Sequence, residues 1–229
     1  MHDSAIDLSR IGAAVFDMGG VILAGGPSDV RAFGARVGLD AQSWAELRRE
    51  IFGNEGVWAS IERGEISFEQ FCAHMIRRIR ERGGTADPEL AAQFMGDRAE
   101  AEQRKRIRRS VINAIKRIRT RMPTALLTNN IVEWRPTWSR ILDVDAMFDV
   151  IVDSSEIGMR KPEPGIYEHT RAALGVAHTD IFFVDDIGQN LKTARQLGWQ
   201  TLLYTDTDEV LGILERIAEA AEPKGGGPA

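Results

Sequence analysis

Five short, continuously apolar runs constrain this chain more than any other feature of it. They are "AAVFD" (13–17), "TALLT" (124–128), "DVIVD" (149–153), "IFFVDD" (181–186) and "TLLYT" (201–205). A strand with one wet face alternates apolar and polar residues, whereas a strand covered on both faces is apolar throughout. These runs therefore predict a parallel sheet with helices on each side. Helical patterns separate the later runs, at about 107–120, 134–142, 163–174 and 188–197. Repeated strand–helix units of this kind read as an α/β, doubly wound, mainly parallel sheet.

The spacing of the runs is uneven. The first and second are separated by residues 18–123, and that stretch reads as almost wholly helical. "SWAELRREIFG" (43–53) and "SFEQFCAHMIRRIRERGG" (67–84) are amphipathic, and Ser67 with Gln70 forms a capping-box pattern. "DPELAAQFMG" (87–96) carries Pro88 in a first helical turn, and "PSD" (27–29) is expected to open the first helix of the group. The expected organisation is a core of residues 1–24 and 101–221 and a helical insert, 25–100, placed just after the first strand. The Gly/Pro-rich stretch 222–229 reads as disordered.

Composition removes several function classes. The 229 residues carry a net charge of −5, so bulk charge gives no attraction to nucleic acid or to an anionic membrane surface. No apolar run approaches the roughly 20 residues that span a bilayer. The N-terminal residues do not form a secretory signal, and the single cysteine, Cys72, excludes an internal disulfide and a multi-cysteine zinc site. The expectation is a cytoplasmic protein without nucleic-acid or membrane partners; nothing in the sequence sets an oligomeric state. The basic run "RKRIRR" (104–109), continued by Lys116, Arg117, Arg119 and Arg121, is read as the solvated face of a helix whose apolar face is Ile107, Val111, Ile115 and Ile118.

In open parallel sheets, ligands bind beyond the C-terminal strand ends. Here the first run ends in Asp17, the second in Thr128-Asn129-Asn130 and the fourth in Asp185-Asp186, while "GMRKPEPGIY" (158–167) follows the third and presents Lys161. If these strands are neighbours, three acids, a hydroxyl, two amides and an ammonium meet at one edge. Several carboxylates attract a hard cation, here Mg²⁺, which takes one or two carboxylates together with water and phosphate oxygens. Lysine, threonine and main-chain amides suit phosphate oxygens, and an aspartate beside a metal and a lysine can attack phosphorus.

These residues resemble the haloacid dehalogenase superfamily: "VFDMGGV" is similar to its first motif, "LLTNN" to its second, "RKPEPGIY" to its third and "FFVDDIGQNLKTARQLG" to its fourth. The insert stands where that family carries a helical cap on its Rossmann-like core. "RGEISFEQF" (63–71) is similar to the cap of the branch holding the phosphatase domain of soluble epoxide hydrolase and bacterial sugar-phosphate phosphatases. The resemblance implies a phosphatase of small phosphorylated molecules, with Asp17 as nucleophile and metal ligand and the carbonyl of Gly19 on the metal. It places Thr128, Asn129 and Gly20 on the phosphoryl group and Lys161 between nucleophile and phosphoryl oxygens. Asp186 becomes a direct metal ligand, Asp185 its outer partner and Asn190 the organiser of the fourth-motif loop; Asp185 and Asp186 remain interchangeable at this point.

The departure is Gly19, where most phosphatases of the family carry the acid that protonates the leaving oxygen. General acid catalysis is worth about 10²–10⁴-fold. Three readings follow: a phosphatase that needs less protonation or takes its proton elsewhere, a metal-independent 2-haloacid dehalogenase, or a weakly active or inactive domain that binds a phosphorylated ligand or a partner. The paired acids Asp185 and Asp186 favour the first over the dehalogenase. Of the remaining polar and aromatic residues, His74 reads as a surface or core histidine, the alternative being a general acid supplied by the insert, and His169 and His178 as surface groups; Trp44 and Trp58 read as packing, and Trp134 and Trp138 as a helix face with an irregular start at Pro136, the alternative being a wall of the substrate entrance.

Overall fold

The computed structural model describes residues 6–25, 33–89 and 100–220. Five strands form one sheet: β1 (Ala13–Phe16), β2 (Thr124–Thr128), β3 (Val150–Asp153), β4 (Ile181–Asp185) and β5 (Gln200–Leu203). Their spatial order is β3-β2-β1-β4-β5 and every pairing is parallel, so the chain winds outward from β1 in both directions, as the strand pattern predicts. Phe16 pairs with Leu126 of β2 and with Val184 of β4, which brings the C-terminal ends of the three central strands to one edge.

The continuous apolar runs are explained by burial on both faces. Phe16, Leu126, Phe182 and Val184 point to one layer; Val15, Ala125, Leu127 and Phe183 point to the other. The inserted helices come next in the chain, namely α1 (Ala41–Phe52), α2 (Val57–Glu62) and α3 (Phe68–Glu81). Then follow α4 (Glu100–Lys105), α5 (Arg109–Arg119), α6 (Arg135–Ile141), α7 (Ser154–Ile157), α8 (Pro164–Leu174), α9 (Gly188–Gln196) and α10 (Thr207–Ala220). Helices α5 and α10 cover the first layer through Val111, Ile115, Ile118, Val210, Leu214 and Ile217, and α8 and α9 cover the second through Ile166, Tyr167, Leu191 and Ala194. Each of these Val, Leu and Ile side chains, fully buried, stabilises by roughly 1.5–3 kcal/mol.

The inserted helices have a core of their own, built around Trp44, Leu47, Ile51, Phe71, Met75 and Ile79, and Ile131 of the sheet domain enters it. The capping box at α3 forms as expected: Gln70 N donates to Ser67 Oγ at 3.2 Å and Ser67 N to Gln70 Oε1 at 2.8 Å. The expected helix start at 27–29 and the stretch 222–229 lie outside the described residues, as does the expected helix at 87–96 apart from its first three positions.

Three expectations change. Helix α10 is an addition to the expected elements, although Val210, Leu214 and Ile217 carry the i, i+4, i+7 spacing of a buried stripe. The basic run is not one solvated helix face: α5 begins only at Arg109, and Arg106 and Arg108 turn inward onto main-chain carbonyls. His178 is not a plain surface group, because its Nδ1 accepts from Trp199 Nε1 at 2.8 Å. Among the described residues, no helix is long and apolar enough to cross a membrane.

Candidate active site

Asp17 is the first residue beyond β1, and its N–H still donates to Val184 O at 3.0 Å, which continues the register onto β4. It therefore stands beside Asp185, the last residue of β4. A tight loop follows, in which Gly20 N donates to Leu23 O at 2.9 Å while Ile22 and Leu23 both donate to Met18 O. Gly20 has φ +77, and a Cβ on it would collide with the Asp186 carboxylate, so a side chain there costs backbone strain and a shift of Asp186. The same loop is fastened from the return segment: Arg108 Nη1 donates to the carbonyls of Gly20 and Val21, and its guanidinium lies 4.5 Å from the Tyr204 ring centroid.

Lys161 closes the site. It is 1 % exposed, and its Nζ stands 2.9 Å from Asp17 Oδ1 and 2.7 Å from Asp185 Oδ2. Burial works to lower its pKa, but the combined pull of Asp17 and Asp185 outweighs it and holds the ammonium above its ordinary range. Asp185 is bound on all sides, by Lys161, by Ile187 N at 2.7 Å and by Asn190 Nδ2 at both oxygens. Asn190, expected to organise the loop, donates to both Asp185 oxygens, and Tyr167 Oη in turn donates to Asn190 O at 2.9 Å.

Burial pushes the Asp17 carboxyl up to about 7; Lys161 opposes this, and Asp185 and Asp186 add to it. Burial likewise raises Asp186, with repulsion from Asp185 next. The carboxylate oxygens of Asp17, Asp185 and Asp186 come within 4.8 Å of one another. Crowded carboxylate oxygens, two of them on the raised groups Asp17 and Asp186, suit a hard divalent cation. Asp186 is the more open of the last two, while Asp185 is saturated with donors.

Thr128 ends β2, is buried and has one long bond, 3.4 Å, to Asn129 O. Asn129 is expected on the phosphoryl group; its side chain bonds the Lys161 main chain. Its Oδ1 accepts from Lys161 N at 2.8 Å and its Nδ2 donates to Lys161 O at 2.9 Å. Asn129 therefore clamps the Lys161 main chain. Asn130 turns away to Asp153 and Ser154. Gly19 is exposed, with no heavy atom within 4 Å of where a Cβ would sit.

Sequence reasoning missed Glu62 at the end of α2. It is 7 % exposed and its Oε2 lies 2.6 Å from Arg160 Nε, in a pair closed off from water. Burial pushes its carboxyl up, against the pull of Arg160. Glu62 sits one residue before "RGEIS", and nothing in local periodicity marks it as buried, because its partner is 98 positions away.

The haloacid dehalogenase-like hydrolase family model matches residues 11–198. The bifunctional epoxide hydrolase 2 of Sus scrofa is 31% identical over 90% of this chain and 38% of its own length, so the chain spans little more than a third of that relative. A sesquiterpene phosphatase of Aspergillus oryzae is 26% identical over 85% of this chain and 90% of its own. Among solved structures, a haloacid dehalogenase family enzyme of Bacteroides thetaiotaomicron in complex with magnesium and inorganic phosphate superposes with a TM-score of 0.59 at 22% identity, over 87% of this chain and 98% of that one.

Proposed function

The chain belongs to the haloacid dehalogenase-like hydrolases, and from that premise we propose that it is a Mg²⁺-dependent phosphatase of small phosphate monoesters. The observation that carries this reading is the buried Lys161 ammonium held between Asp17 and Asp185. A cation fixed there orients one carboxylate oxygen of Asp17 and leaves positive charge where a phosphoryl group would enter. Asp17 forms the bond to phosphorus as the ester oxygen leaves, giving an aspartyl-phosphate; water then releases inorganic phosphate and restores the carboxylate. Lys161, the Thr128 hydroxyl and the main chain of Asn129 and Gly20 hold the phosphoryl oxygens.

Asp17, the Gly19 carbonyl and Asp186 would hold Mg²⁺, with Asp185 behind them. When bound, the ion offsets the repulsion between anionic nucleophile and anionic substrate. The inserted helices act as a cap that excludes water and selects the leaving group. The A. oryzae relative's description as a phosphatase and the B. thetaiotaomicron complex with magnesium and phosphate support this assignment. Gly19 leaves the leaving-group proton to another donor or to solvent.

The test is a panel of p-nitrophenyl phosphate and sugar phosphates, run with Mg²⁺ and with EDTA. Metal-dependent phosphate release, abolished in Asp17→Asn, is the expected result. Halide release from 2-haloacids that persists in EDTA would replace the reading with a dehalogenase. Saturable binding of phosphorylated ligands without turnover would replace it with a binding domain.

A further inference from the structure

Besides the packing around Ile131, the inserted helices meet the sheet domain through a short segment, Glu62-Arg63-Gly64, that lies against the loop carrying Lys161. Arg63 Nη1 reaches Glu163 Oε1 at 2.8 Å. Gly64 comes so close to Ser155 that a Cβ there would strike the Ser155 carbonyl. Glu62 goes deepest, and both it and Arg160 are more than nine-tenths buried. Its Oε2 takes Arg160 Nε at 2.6 Å and stands 3.4 Å from Asn129 Nδ2, while Trp58 Nε1 donates to its Oε1 at 2.8 Å.

We propose that Glu62 is a positioning residue through which the docked insert fixes the main chain of Lys161. The connection runs through two neighbours. Arg160 precedes Lys161, and Asn129 bonds both the N–H and the carbonyl of Lys161. One carboxylate oxygen of Glu62 therefore faces both groups that frame the Lys161 peptide. Lys161 Nζ in turn holds Asp17. When the insert is docked, the chain Glu62–Arg160/Asn129–Lys161–Asp17 is continuous from α2 to the end of β1. When the insert lifts away, Arg160 loses its buried partner and the Lys161 peptide loses one of its supports. The insert then does more than cover the site: it completes the arrangement of the lysine. The kinetic part of this inference rests on the phosphatase reading; the structural part does not.

The experiment compares wild type, Glu62→Gln and the double variant Glu62→Gln/Arg160→Met by thermal unfolding, steady-state kinetics on p-nitrophenyl phosphate and amide hydrogen exchange over residues 158–163. Glu62→Gln alone strands the buried Arg160 guanidinium, and its instability would blur the result. The double variant removes both charges while keeping the acceptor for Trp58, so it is expected to melt near wild type. Its exchange at the Lys161 amide is expected to rise about tenfold, and its kcat to fall about tenfold or more with KM within about twofold. A purely structural role would restore kcat together with stability. A double variant with wild-type exchange at Lys161, or with wild-type kcat, overturns the proposal. A wild-type protein that releases no phosphate from any substrate overturns the phosphatase reading instead, and the exchange comparison then decides the role of Glu62 alone.

Discussion

The ammonium of Lys161 stands 2.9 Å from the carboxylate of Asp17, and both side chains are buried. The two partners contribute oppositely to stability. Removing the cation leaves Asp17 and Asp185 facing each other without a counter-charge, and breaking a buried pair in this way costs about 3–5 kcal/mol. Lys161→Met should therefore lower the denaturation midpoint strongly and abolish turnover. Asp17→Asn removes a carboxylate whose ionised form is disfavoured by burial and by the neighbouring acids, while Lys161 keeps Asp185. That variant should be inactive yet as stable as wild type or more so. Paired chemical denaturation and phosphate-release assays would expose an error if Asp17→Asn proved the less stable of the two.

The raised pKa of Asp17 sets a pH dependence. In the metal-free protein it titrates near 7, against an ordinary value of 3.8. Between those values the folded state holds a proton that the unfolded state has lost. The associated stability is fully present below the lower value and is lost as pH rises through about 7. A cation needs the ionised form, so Mg²⁺ binding should release about one proton below pH 7 and weaken about tenfold from pH 8 to pH 6. Calorimetric titration in buffers of different ionisation enthalpy measures both. Proton release that does not change across this range would contradict the assignment of Asp17 as a ligand.

The parts of this molecule that are legible in the sequence are those with local signatures. Burial on both faces writes itself into consecutive residues, so the strands and their parallel order are readable from runs such as "IFFVD". The strand-end acids and Lys161 are readable because the sheet's geometry assigns polar residues at that edge to a ligand. What escapes depends on distant partners. Glu62 looks like any acid closing a helix until Arg160 is brought to it, and nothing local shows that the Asn129 side chain bonds the Lys161 main chain. Arg106 and Arg108 look like surface charge because only the folded loop supplies the carbonyls they bind.

Gly20 separates loop geometry from ligand chemistry. An alanine there must adopt φ +77 and push the Asp186 carboxylate aside. The backbone strain alone costs of order 1–2 kcal/mol. Gly20→Ala should fold with a modestly reduced melting temperature, but lose about tenfold or more in Mg²⁺ affinity as Asp186 is displaced. Magnesium titration followed by thermal shift reports both quantities, and unchanged affinity would remove Asp186 from the ligand set.

Gly19 offers the complementary experiment, because the space its side chain would occupy is open. The position is exposed, its backbone lies outside the left-handed region, and no heavy atom lies within 4 Å of the point a Cβ would occupy. Gly19→Asp should therefore fold as wild type does and leave the main-chain carbonyl in place. The consequence for rate depends on the leaving group. A p-nitrophenolate departs without a proton, whereas a sugar alkoxide needs one, and a general acid is worth about 10²–10⁴-fold where protonation limits the rate. The variant should accelerate sugar-phosphate hydrolysis by about tenfold or more and leave p-nitrophenyl phosphate nearly unchanged. Equal acceleration of both substrates would mean that the added carboxylate acts on the metal or the water rather than on the leaving oxygen. No acceleration of either would mean that proton delivery does not limit this enzyme, and that the natural substrate has a leaving group matched to a site without an acid at this position.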